Sequence, residues 1–114
     1  MCAFALLSVS ALAVAGDWLP NFEDVPQMDK TFVVEDGGFV YSQPDGKIAQ
    51  ATVISSEISR RRFQSFYNDA LNELGWRRGR TSRDLQIFTR GNDELRIEIV
   101  NAEPLEARFT LTPR

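Results

Sequence analysis

Phe63, Phe66, Tyr67, Ala70, Leu71 and Leu74 recur at i, i+3, i+4, i+7, i+8 and i+11, the spacing that returns side chains to one side of an α-helix. On a helical wheel they form an apolar stripe about 140° wide. Ser59 stands where an N-cap hydroxyl belongs, and Gly75 offers the left-handed residue that ends a helix. The pattern therefore predicts one amphipathic helix over residues 60 to 74. After it the period changes to two. In residues 94 to 100 and 105 to 112, Leu95, Ile97 and Ile99, then Leu105, Ala107, Phe109 and Leu111, alternate with Glu94, Arg96 and Glu98, then Glu106, Arg108 and Thr110. Such alternation marks strands with one greasy and one wet face. Residues 76 to 80 and 85 to 90 are two further strand candidates, and the turn-forming runs Gly91-Asn92-Asp93 and Asn101-Ala102-Glu103-Pro104 separate the last three.

Upstream of the helix the signals are shorter. Residues 31 to 34 and 39 to 41 are β-prone runs on either side of Glu35-Asp36-Gly37-Gly38, whose glycines permit the positive φ of a tight turn. Pro44-Asp45-Gly46 reads as a second turn, and residues 48 to 54 as a strand with small Ala49, Ala51 and Val53 on one face. The expected fold is α+β with two layers: one amphipathic helix packed on an antiparallel sheet that ends in a C-terminal meander. Residues 16 to 30 carry Trp18, Leu19, Phe22, Val25 and Met28 without a helical or strand period, and Pro20 and Pro26 forbid a continuous helix. They read as an extended arm lying over a single domain of residues 31 to 114.

Ahead of the arm, Cys2 to Gly16 contains no charge, and every charged residue lies at Asp17 or beyond. Fifteen apolar and small residues are too few to cross a hydrocarbon core, which takes roughly 20 in a helix. Ala11-Leu12-Ala13 and Ala13-Val14-Ala15 place small residues where a signal peptidase reads. Residues 1 to 15 therefore read as a cleaved signal peptide, with a short buried helix or an interface-lying anchor as alternatives. No Lys or Arg precedes the apolar run, which departs from the usual signal pattern. The single Cys, Cys2, falls within this leader.

Phe66-Tyr67, Leu71 and Leu74-Gly75-Trp76 form the pattern FYxxxLxxLGW. Together with Val25-Pro26-Gln27-Met28 and Pro44-Asp45-Gly46-Lys47-Ile48, it resembles small, uncharacterised exported proteins of the bacterial envelope, over most of the chain past the leader. The resemblance implies an α+β fold and a location in the periplasm or cell envelope. It brings no catalytic residues with it.

Composition narrows the chemistry. The chain has 114 residues and a net charge of −3, which is one domain and a poor match for duplex nucleic acid. With no His and no Cys beyond the leader, Ser-His and Cys-His catalysis and His/Cys zinc sites lack their defining side chains. No phosphate-cradling or dinucleotide fingerprint is present, and no cofactor or metal is expected. Asp36, Asp45, Asp93 and Glu94 sit in or beside turns; Asp84, Glu98 and Glu106 project from the wet face, where Arg96 and Arg108 are expected to pair with them. Tyr67 and Trp76 are expected in the core, although either type can stack on a sugar or a base.

The arginines stand out. Residues 17 to 59 hold two Lys against eight acids, whereas residues 60 to 90 hold eight Arg against three acids. Arg60, Arg61 and Arg62 open the helix, where its dipole disfavours cations. On the wheel Arg60 points along the apolar stripe, Arg61 faces away and Arg62 lies on the flank. Arg60, Arg62, Arg77 and Arg78 are the candidate surface for an anion or a partner; the alternative is that the acidic N-terminal half folds over and neutralises them. Trp18 and Phe22, in the arm, either pack on the domain or face a partner or a membrane surface. The expected function is non-enzymatic docking in the cell envelope, as an accessory subunit or adaptor, with a protein partner and no nucleic acid. A small-ligand-binding or carboxylate-dependent hydrolytic domain is the alternative.

Overall fold

The two periods in the sequence become two layers in the computed structural model, which describes residues 18–22, 24–35 and 38–114. The expected signal peptide and part of the Glu35-Asp36-Gly37-Gly38 turn lie outside the described residues. The strands are β1 (Phe32–Val33), β2 (Phe39–Gln43), β3 (Gly46–Ser55), β4 (Arg77–Thr81), β5 (Leu85–Arg90), β6 (Asp93–Ala102) and β7 (Leu105–Pro113), with one helix, α1 (Arg60–Glu73), between β3 and β4. All seven strands share an antiparallel sheet in the order β1-β3-β7-β6-β5-β4, and β2 also pairs with β3. The fold is α+β, a single helix on an antiparallel sheet that ends in a meander.

The helix forms where its pattern and caps predict. Ser59 Oγ accepts the Arg62 N–H at 3.1 Å, which satisfies one of the free donors of the first turn. At the other end Gly75 adopts φ +91°, while Trp76 N–H donates to the Leu71 carbonyl at 2.9 Å and Gly75 N–H to that of Asn72 at 3.2 Å. This paired arrangement closes the helix through a left-handed glycine. Phe63, Tyr67 and Leu71 are buried on the sheet, with the Phe63 and Tyr67 rings 6.0 and 5.2 Å from that of Phe109 on β7. Phe66 and Leu74 are only partly buried. Each fully buried large side chain contributes about 1.5 to 3 kcal/mol.

Two expectations change upstream. The Glu35–Gly38 segment does not turn a hairpin, because β1 and β2 do not pair with each other. Both pair with β3, Phe32 opposite Ile54 and Phe39 opposite Gln50, so they are two stretches of one edge strand interrupted by an insertion. Gly38 brings the chain back: a Cβ there would collide with the Gln50 carbonyl oxygen. The sequence favoured a hairpin because the same glycines suit a tight turn.

The arm is likewise not extended. Trp18 bridges Pro26, Leu19 N–H donates to the Val25 carbonyl at 2.9 Å, and Asn21 and Asp24 take positive φ. The resulting loop turns Leu19, Phe22, Val25 and Met28 inward, all buried, with Phe22 edge-on to Phe109 at 6.2 Å. Of the two placements the sequence leaves open for these aromatics, Phe22 packs in the core, so it is not a partner-facing candidate, while Trp18 stays exposed. The Tyr67 hydroxyl holds this loop, donating to the Pro26 carbonyl at 2.7 Å and accepting the Met28 N–H at 3.2 Å. Burial raises the Tyr67 pKa far above that of a free tyrosine, although the hydrogen bond from Met28 lowers it somewhat.

Candidate functional site

Opposite its apolar stripe, α1 carries Arg61, Gln64, Ser65, Asn68 and Asn72, polar side chains at helical spacing. Because α1 crosses the sheet beside β4 and β5, this flank meets the turn between those strands. The two form an open groove of about 380 Å³ lined by Arg60, Arg61, Gln64, Ser65, Asn68, Ser82 and Arg83. Its walls are tied together. Gln64 Nε2 donates to the Arg83 carbonyl at 3.0 Å, and Arg60 meets Asp84 at 3.5 Å. Beneath them Gln86, buried on the inner face of β5, donates from Nε2 to the Gln64 carbonyl at 3.0 Å and to Asn68 Oδ1 at 2.9 Å.

Electrostatically the groove is one-sided. Arg60, Arg61 and Arg83 line it without a lining carboxylate among the described residues, and Asp84 beside it pairs with Arg60. Among the described residues, Arg61, Arg62, Arg77, Arg78, Arg80 and Arg83 form no ion pair. The acidic N-terminal half reaches the arginine segment at Arg90, which pairs with Asp24 at 3.1 Å.

The four arginines singled out from the sequence do not make one surface. Arg60 lines the groove, but Arg62 does not. Arg77 pairs with Thr89 and Arg78 with Phe88, and neighbours along a strand point to opposite faces, so Arg77 lies on the open face and Arg78 on the helix face. Arg78 joins a second polar groove of about 400 Å³ with Asn68, Asp69, Asn72, Trp76 and Phe88. Arg61 faces away from the apolar stripe, as the wheel places it, and lines the first groove because the β4–β5 turn meets that side of the helix. Arg83 was not among the candidates. No family model matches the chain, and neither a curated protein nor a solved structure does.

The remaining candidates are structural or singly placed. Trp76 is buried beneath the Arg90 guanidinium, 4.6 Å from the ring centre. Exposed Trp18 lines an open depression with Pro20, Asn21, Asp24 and Lys47. On the open face, Asp84 and Glu98 share a small groove with Arg96 and Arg108; Asp84 is engaged by Arg60 and Glu98 by Arg108 at 3.8 Å. Glu94, expected to serve a turn, pairs with Arg96 at 3.7 Å.

Proposed function

We propose that this chain is a non-enzymatic protein of the cell envelope that acts by docking, as an accessory subunit or adaptor of a larger assembly. The observation that carries the reading is that Arg60, Arg61 and Arg83 line one groove, where Asp84, paired with Arg60, is the one carboxylate ion-paired to them among the described residues. Planar guanidinium groups with free donors bind carboxylates in bidentate fashion. Gln64, Ser65, Asn68 and Ser82 add neutral donors and acceptors around them. The partner is therefore a protein surface rich in Asp and Glu. Export is supported by the apolar leader with its Ala-x-Ala sites, and exposed Trp18, placed just after that leader, suits contact with a membrane surface.

The alternative, a ligand-binding or hydrolytic domain of the periplasm, would rest on Asp84 and Glu98, and arginines engage both. Two measurements test the proposal. Intact mass of protein extracted from the envelope should fall below the 12.9 kDa of the full chain; a full-length mass rejects cleavage. Affinity capture from envelope fractions should recover the same acidic protein with wild type and with Arg62→Glu, and lose it with the Arg61→Glu/Arg83→Glu double variant. Equal capture by all three rejects the groove as the docking site.

A further inference from the structure

Among the described residues the sheet has two edges without a further strand, about 24 Å apart across five strand spacings, and they differ in chemistry. One is the interrupted strand formed by β1 and β2. All five residues of β2 are exposed, and so is Phe32 of β1. The register puts Phe32 beside Ile54 and Tyr41 beside Ile48, with Phe39 between them opposite Gln50. Phe32, Phe39, Tyr41 and Ile54 are each 42 to 66% exposed and line the rim of the open face. Exposed Glu35 and Asp45 flank the strand, and neither forms an ion pair among the described residues. The opposite edge is β4, Arg77–Thr81, also exposed throughout, with three arginines in five residues.

An apolar strand with an unpaired edge invites another strand. We propose that the β1–β2 edge receives β4 of a second copy of this chain, which extends the sheet from one molecule into the next. Charge selects this pairing over the others. Joining β4 to β4 sets arginines against arginines, and joining β2 to β2 sets Glu35 and Asp45 against their own copies, whereas β4 on β2 brings opposite charges together. The arginine stems cover the exposed rings, and their guanidinium groups lie over aromatic faces and reach the flanking carboxylates. Unlike edges meet, so the contact is head-to-tail and leaves a free edge at each end of the assembly. The register break between Arg78 and Thr81 shortens the run a neighbour can pair with, which keeps the association weak and reversible.

Sedimentation of the protein as purified from cells, over a concentration series reaching the millimolar range, tests this. Wild type should associate progressively at low ionic strength and about tenfold more weakly at high salt. Arg77→Glu/Arg80→Glu blocks one edge and Tyr41→Lys/Asp45→Lys the other; all four positions are exposed, so both variants should melt like wild type. Each alone should remain monomeric, and an equimolar mixture should recover dimers, because each contributes the edge the other lacks. Association through the N-terminal apolar segment would survive in both variants. A monomeric wild type, variants that still associate alone, or a mixture that stays monomeric would each overturn the proposal. Arg77, Arg80, Tyr41 and Asp45 lie outside the arginine groove, so this result and the docking result are independent.

Discussion

Tyr67 holds three parts of the molecule with one ring and one hydroxyl. Its ring packs against Phe63, Phe66 and Phe109, and its hydroxyl ties down the N-terminal loop at Pro26 and Met28. Tyr67→Phe leaves a buried N–H and a carbonyl without that partner, at a cost of about 1 to 3 kcal/mol in denaturant unfolding. The hydroxyl also sets a pH dependence. Its folded pKa is raised, so the stability tied to its protonated form is fully present below about pH 10, the ordinary tyrosine value, and is lost as pH rises beyond it. The melting temperature of wild type should therefore fall more steeply above about pH 10 than that of Tyr67→Phe; parallel curves would place the alkaline loss elsewhere. Arg90 is a second junction, since it stacks on Trp76, pairs with Asp24 and donates to the Leu74 carbonyl at 3.1 Å. Arg90→Ala should cost about 1 to 3 kcal/mol. Trp76→Ala, a fully buried truncation, should cost about 3 to 5 kcal/mol, and partly buried Phe66→Ala clearly less.

Helix α1 has two faces, an apolar stripe that packs on the sheet and a polar flank that lines the groove. Arg61→Glu puts an anion in the first turn and removes a cation from it, which favours the helix dipole by about 0.3 to 1 kcal/mol. That substitution should raise the melting temperature slightly while weakening docking, whereas Arg60→Glu also breaks the contact to Asp84 and should gain less. A fall in stability for Arg61→Glu would mean that an undetected acidic partner neutralises Arg61. The helix and the β5–β7 meander were legible because two periods, 3.6 and 2, and the Ser59 and Gly75 stops agreed on the same answer. The loop at residues 18 to 30 was not. Its buried side chains, Leu19, Phe22, Val25 and Met28, fall at every third position, which is neither period and arises from turns at Asn21 and Asp24. The Glu35–Gly38 segment misled for a related reason: glycine permits a tight turn and a close approach alike, and only the strand register shows which is used. Gly38→Ala should accordingly destabilise the β1–β2 edge without disturbing α1, measurable as faster amide exchange confined to residues 32 to 43.

Across the whole molecule, unlike charges flank the two edges of the sheet, with Glu35 and Asp45 beside β1 and β2 and three arginines on β4, next to the arginine-rich end of α1. This polarity was readable from the sequence as a count. The site itself was not, because the face each arginine takes depends on the register break in β4 and on where the β4–β5 turn meets the helix. A sign did exist in the run of amide and hydroxyl residues, Gln64, Ser65, Asn68 and Asn72, that continues the helical row begun by Arg61. This flank and Arg83 form the proposed site for carboxylate-rich surfaces. The most direct test is an anisotropy titration of a labelled oligoglutamate peptide against wild type, Arg62→Glu and Arg61→Glu/Arg83→Glu at fixed salt. Wild type and Arg62→Glu should bind alike, and the double variant about tenfold or more weakly. Weakening by Arg62→Glu as large as that of the double variant, or binding by all three alike, would contradict the claim.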